Sequence, residues 1–161
     1  MRYRTGIGQD SHRFLQDGTE KKCVIAGLSF EGAPGLDADS DGDVVFHAIC
    51  NAITSLTHIP ILGGVAIDLC RNQGVTDSRI FLDKAIETLG DQVIEHVALT
   101  IEGKRPKLQK RADDMRGSVA SALAINVDQV GITFTSGDGL TAFGRGEGLM
   151  CYCILTTHPQ R

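Results

Sequence analysis

Strand-like and helix-like stretches alternate along nearly the whole of this chain, and that alternation restricts it to a sheet covered by helices. Arg2 to Gly8 reads as a strand running out into the polar stretch Gln9 to Arg13, and Cys23 to Phe30 (CVIAGLSF) as a second strand. A loop rich in Gly, Pro and Asp, Glu31 to Gly42, leads into the clearest helix, Asp43 to Leu56. Its Val45, Ile49, Ala52, Ile53 and Leu56 recur at helical spacing. A short helix is expected from about Val65 within the apolar stretch Ile61 to Leu69, and another, capped by Asp77 or Ser78, through Ile80, Ala85 and Leu89 to Gly90. Val93 to Glu102 alternates as a strand. Asp113 to Ala124 places Met115, Val119 and Leu123 on one helical face, and Val130 to Thr135 and Gly148 to Thr157 close the sheet. The fold class is α/β (α+β), with a mixed sheet covered by helices on one face. At 161 residues there is room for one core and hardly for two, so residues 1–161 are read as a single domain. If helices cover one face, the apolar residues of the other must meet another chain, and self-association is expected.

Charge and cysteine usage narrow the function classes. A formal net charge of -4 argues against a protein built to hold nucleic acid by its backbone. Trp is absent and Tyr occurs only at Tyr3 and Tyr152, which leaves few platforms for base stacking. Arg2 and Arg4 run directly into a Gly-rich segment, and no apolar run approaches a membrane span; no leader, no membrane partner and a cytoplasmic location are expected. Cys23, Cys50, Cys70, Cys151 and Cys153 are odd in number and scattered, so they read as reduced and mostly buried rather than as a disulfide framework.

Four clusters carry candidate chemistry. In extended backbone, residues two apart face the same way, so Asp10 and His12 of Asp10-Ser11-His12 present an oxygen and a nitrogen to one point. His47, from the helix, can supply a third donor. Two imidazoles and a carboxylate with one position open suit catalytic zinc, although octahedral metals also accept such donors; a solvated Asp and two surface histidines are the plainer alternative. His58, His96 and His158 lack such company. Asp37, Asp39, Ser40, Asp41, Gly42 and Asp43 crowd the entry to the helix. Asp41 or Asp43 suits an N-cap. Asp43, four residues before His47 on one face, is also placed to orient its imidazole, and Ser40 to donate a hydrogen bond to a ligand.

The Gly-rich run Thr135 to Gly148 matches neither a P-loop nor a dinucleotide fingerprint. Its amides, the hydroxyls of Thr135 and Ser136, and Arg145 nevertheless suit phosphate oxygens, with Asp138 available to a second cation; a turn between strands is the alternative. Glu102-Gly103-Lys104-Arg105-Pro106-Lys107-Leu108 is a basic turn, able to meet a phosphate or to show its backbone to a base edge, or else simply solvated.

In this order and at this chain length, five pieces resemble the 2-C-methyl-D-erythritol 2,4-cyclodiphosphate synthase family. They are G-x-D-S-H at Gly8 to His12, S-D-G-D-V-V-F-H-A at Ser40 to Ala48, D-S at Asp77 and Ser78, P-K-L at Pro106 to Leu108, and G-R-G-E-G at Gly144 to Gly148. The resemblance implies a homotrimer with active sites between adjacent subunits. It implies cyclisation of 4-diphosphocytidyl-2-C-methyl-D-erythritol 2-phosphate to the 2,4-cyclodiphosphate with release of CMP, a step of the non-mevalonate isoprenoid pathway. It assigns one zinc ion per subunit to Asp10, His12 and His47, and magnesium or manganese to Asp138. Thr135 and Ser136 contact phosphate by the same resemblance, and Gly103, Pro106, Lys107 and Leu108 form the cytidine pocket. Ser40 and Asp68 lie near the methylerythritol phosphate, and Arg145 lines a central cavity that in such trimers can hold an isoprenoid diphosphate.

The chain departs from the family pattern at four places. Asp39 stands where the family has His, Ile61 where it has a ribose-binding Asp, and Asp138 where it has Glu. Ala66-Ile67-Asp68 replaces F-P-D. The backbone at Leu62 and Gly63 is then the remaining contact for the nucleoside. Two other functions compete with the cyclase: an enzyme of altered specificity that cyclises or hydrolyses another nucleotide diphosphate, and a non-catalytic trimer that binds isoprenoid diphosphates.

Overall fold

The structure, a computed structural model, describes residues 2–160. In chain order its elements are β1 (Arg4–Arg13), a hairpin of β2 (Cys23–Ile25) and β3 (Leu28–Phe30), α1 (Val44–Thr57), α2 (Gly64–Gln73), α3 (Ser78–Glu87), β4 (Gln92–Glu102), α4 (Ala112–Leu123), β5 (Val130–Thr135) and β6 (Gly148–Pro159). The main sheet has the order β1-β6-β4-β5. β6 is antiparallel to both its neighbours, and β4 and β5 are parallel, joined through α4. This is the mixed α/β sheet that the alternation predicts.

The period-2 pattern of the strands decides which face is dry. Leu149, Cys151, Cys153 and Leu155 of β6 and Val97, Leu99 and Ile101 of β4 are buried in one core with Ile49, Ile53, Met115 and Val119 of the helices. The intervening residues point away from the helices. Among them Ile7 is 60% exposed, Tyr152 44% and Ile154 48%, far too much apolar surface for a finished sheet face. The cysteines are all free, and burial pushes the Cys23 thiol up to about 12, so it stays protonated. Among the described residues no helix is long and apolar enough to cross a membrane.

Two expectations need correction. CVIAGLSF is a tight hairpin rather than one strand, because Ala26 and Gly27 adopt positive φ values of 54° and 73°. Both turn amides donate to the Asp43 carboxylate, at 2.9 and 2.6 Å, a long-range contact that local pattern does not carry. β1 also runs on through the polar stretch to Arg13, since Asp10, Ser11 and His12 stay paired with Cys151, Met150 and Leu149 of β6.

Gly6 and Gly8 place α1 on the sheet. A Cβ at Gly6 would lie 2.2 Å from the Ala52 carbonyl oxygen, and one at Gly8 2.1 Å from the Ala48 oxygen and 2.3 Å from the Ala52 nitrogen. Helix and strand backbones therefore touch where side chains would normally keep them apart. Gly6, Gly8, Asp10 and His12 share one face of β1, so the same close crossing brings His47 of α1 over the two polar residues.

Candidate functional site

Three donor atoms converge where α1 crosses the end of β1. His12 Nε2 lies 3.0 Å from Asp10 Oδ2, His47 Nδ1 lies 3.1 Å from the same oxygen, and the two imidazole nitrogens are 3.3 Å apart. Ligands held about 2.0–2.1 Å from a tetrahedral centre are about 3.3 Å from one another, so these separations fit a single small metal ion. Among the described residues this is the one group of His, Cys, Asp and Glu side chains so placed. Burial disfavours charge on Asp10, but hydrogen bonds and charge from His12 and His47 outweigh it and hold the carboxyl below its usual range. For His12, burial opposes the imidazolium, while the Asp10 hydrogen bond and charge and the Asp37 carbonyl prevail and raise its pKa.

The far nitrogens of both imidazoles are also engaged. His12 Nδ1 lies 3.1 Å from the Asp37 carbonyl oxygen, to which it can only donate. His47 Nε2 lies 2.8 Å from Ser78 Oγ at the start of α3, and Ser78 in turn donates from its hydroxyl and, at 3.0 Å, its amide to Asp41. The expectation that Asp43 orients His47 is therefore corrected. Asp43 is the N-cap of α1, fully buried, and its carboxylate accepts from the amides of Ala26, Gly27, Val45 and Phe46. With four amides to satisfy it has nothing left for an imidazole; Asp41 reaches His47 instead, through Ser78. The sequence marks Ser78 as a helix cap and as part of the D-S piece, with no role toward His47. Nothing in the local pattern says that α3 packs against α1.

A cavity of about 230 Å³ opens over the three donors, lined also by Asp39, Ser40, Leu62, Gly63, Ile67 and Cys70. Lys21 clamps the rim by donating to the carbonyls of Ala38, at 2.8 Å, and Ser40, at 2.6 Å. Asp39 is held by the Arg71 guanidinium of α2 at 3.1 Å, so this anion on the rim faces a cation. Ser40 is buried and accepts from the Gly42 amide at 3.1 Å; its hydroxyl is 3.5 Å from His47 Nε2. Asp68 does not line the cavity. It is exposed on α2 and accepts from Asn72 at 2.5 Å.

The other candidate residues form a second cluster on the same end of the sheet. Ser136 accepts from the Asp138 amide at 3.3 Å and donates to the Asp138 carboxylate at 3.1 Å, while Thr135 Oγ1 accepts from the Gly137 amide. The Gly103 amide donates to the Thr135 carbonyl at 3.0 Å, which seats the basic turn beside this loop. In that turn Pro106 and Leu108 are buried and Lys107 is exposed. Arg145 is paired with Glu147 at 2.9 Å. Pairing runs Ser11 to Met150, Met150 to Glu102 and Glu102 to Thr135, so three strand spacings, about 14 Å, separate the clusters. No residue of the loop 135–148 lines the cavity over the metal donors.

The YgbB family model matches residues 3–158. A 2-C-methyl-D-erythritol 2,4-cyclodiphosphate synthase of Chlamydia felis is 57% identical over 155 residues, covering 96% of this chain and 88% of the relative. The chain belongs to this family. Among solved structures, the Plasmodium vivax 2C-methyl-D-erythritol 2,4-cyclodiphosphate synthase superposes with a TM-score of 0.82 at 23% identity, over 99% of this chain and 100% of that one. A CDP-bound form of a synthase of the same name gives 0.82 at 26% identity, over 96% and 100%. Ile61 is buried in the core, 6% exposed.

Proposed function

We propose that this chain converts 4-diphosphocytidyl-2-C-methyl-D-erythritol 2-phosphate to 2-C-methyl-D-erythritol 2,4-cyclodiphosphate and CMP. The observation that carries the reading is the convergence of Asp10, His12 and His47 in a chain of the cyclodiphosphate synthase family. An oxygen of the substrate's 2-phosphate forms a new bond to the β-phosphorus of the diphosphate, and the bond from that phosphorus to the CMP oxygen breaks. The nucleophile is already tethered to the electrophile, which removes much of the entropic barrier and leaves the protein no need of a nucleophile of its own.

Asp10, His12 and His47 hold zinc in this reading, and Asp138 a magnesium or manganese ion. A single exposed carboxylate suits a cation that keeps waters and substrate oxygens as its other ligands. Bound there, the cations supply Lewis-acid neutralisation of phosphate charge. Ser40, on the cavity rim, and Thr135 and Ser136, in the second cluster, fold the substrate back on itself by hydrogen bonds to phosphate oxygens. Gly103, Pro106, Lys107 and Leu108 receive the cytidine, Gly63 and its neighbours the ribose, and Asp39, Asp68 and Arg145 complete the substrate-facing set. With Ile61 buried, ribose hydroxyls lose a carboxylate partner, which weakens nucleotide affinity by about 1–3 kcal/mol.

The 14 Å between the clusters is bridged in this reading by a homotrimer, residues 1–161 of each protomer forming one cyclodiphosphate-synthase-like domain. The metal cluster of one subunit then meets the phosphate and cytidine loops of its neighbour, in a cytoplasmic enzyme. The test is to supply the cytidyl substrate with zinc and magnesium and follow CMP and cyclic diphosphate by mass spectrometry, beside His47→Ala. Equal amounts of both products, lost in the variant, are expected. CMP without the cyclic product would replace the cyclase by a hydrolase.

A further inference from the structure

The contacts behind His47 determine which of its nitrogens carries the proton. Ser78 is fully buried at the first position of α3, and its hydroxyl has one proton to give. Asp41 lies within hydrogen-bond reach of that hydroxyl and also accepts the Ser78 amide and, at 3.0 Å, the Asp43 amide. Were the hydroxyl to donate to His47 instead, its bare oxygen would face the Asp41 carboxylate with no proton between them, a buried clash of lone pairs. The proton therefore goes to Asp41, and the hydroxyl oxygen accepts from His47 Nε2–H at 2.8 Å. In the neutral ring Nδ1 is then left with its lone pair, aimed at the point shared with Asp10 and His12. Phe81, one turn further along α3, packs against the same ring at 6.2 Å between centroids, so α3 both orients and frames it.

We propose that Ser78 and Asp41 are positioning residues of the metal centre: they hold His47 as its Nε2–H tautomer and so present Nδ1 to the ion. This rests on the reading of Asp10, His12 and His47 as ligands. It adds two side chains that touch neither metal nor substrate.

Zinc affinity of the full chain, measured by competition with a chromophoric chelator, tests it in four proteins: the unaltered chain, His47→Ala, Ser78→Ala and Asp77→Ala. Asp77 caps α3 by accepting from the Arg79 amide at 2.8 Å and has no contact with His47, so its loss weakens the helix start without touching the relay. Ser78→Ala is expected to weaken zinc binding about ten- to a hundredfold, and Asp77→Ala to leave it within about twofold. Equal losses in both would mean that α3 acts only as a support, and no loss in Ser78→Ala would end the proposal. If His47→Ala binds zinc as the unaltered chain does, the ligand reading itself fails; if it loses zinc while Ser78→Ala keeps it, only the relay fails. Long-range proton–nitrogen NMR of the zinc-loaded unaltered chain needs no variant to fold: a proton on Nε2 of His47 is expected, and one on Nδ1 would overturn the assignment.

Discussion

In the candidate metal site, the side chains of His12 and Asp10 compete with a metal for each other. Burial alone would neutralise both groups, yet each favours the other's charge more strongly, so the carboxyl is held down and the imidazole pKa up. The sign for metal binding follows directly. A proton on His12 must leave before its Nε2 can ligate, and it leaves at a higher pH than from a free imidazole. Apparent metal affinity is therefore expected to weaken as pH falls, beginning above pH 6.5 and approaching about tenfold per pH unit once His12 is protonated. Chelator competition across pH 5.5 to 8.5 checks this; a flat profile would mean that His12 is not a ligand. In the metal-free protein the same raised pKa gives a stabilising pair that is complete below the unfolded value and disappears as pH rises through the folded one.

At the scale of elements, the decisive feature is the crossing of α1 over β1. Its closeness comes from two glycines, at which a Cβ would lie only 2.1–2.3 Å from backbone atoms of α1. Gly8→Ala is expected to push α1 outward, costing about 3 kcal/mol or more, the upper end of overpacking effects. Because the displaced helix carries His47, the folded fraction should also bind zinc more weakly. Denaturant unfolding read together with chelator competition separates the two losses; a variant as stable as the parent would show that the helix crosses elsewhere. α3 supplies Ser78 and Phe81 to His47. α2 carries Arg71 to Asp39 and lines the cavity with Ile67 and Cys70, so α2 and α3 each contribute one edge of it.

For the whole molecule, the sheet face away from the helices is the main unfinished business. Ile7, Tyr152 and Ile154 lie beside Ala98, Thr100 and Gly131 in one apolar strip. A strip of this kind on a sheet whose other face is already packed suits burial against copies of itself. For the proposed trimer, Ile154→Asp is expected to shift the sedimentation behaviour toward monomer, with loss of cyclisation but retention of zinc, since the candidate metal donors belong to one protomer. Retained assembly would place the interface on another face. Loss of zinc together with assembly would show that the metal site is completed by a neighbour.

Much of this was legible from the residues alone. The strand and helix order, the Asp43–Leu56 helix and the pairing of Asp10 with His12 follow from periods of 2 and 3.6, which are local properties of the backbone. The arrival of His47 at those two residues was an inference from motif likeness, and only the glycine-tight crossing supplies its physical cause. Three features lay beyond the local pattern: the hairpin turn gripped by Asp43, the route from Asp41 through Ser78 to His47, and the separation of the metal donors from the phosphate loop. Each depends on residues 16 or more positions apart, brought together by packing. Residue type and local spacing identify which side chains have the chemistry to bind a metal and phosphates. The tertiary structure decided which of them meet, because backbone contact at Gly6 and Gly8 and the strand register set distances that no spacing along the chain encodes.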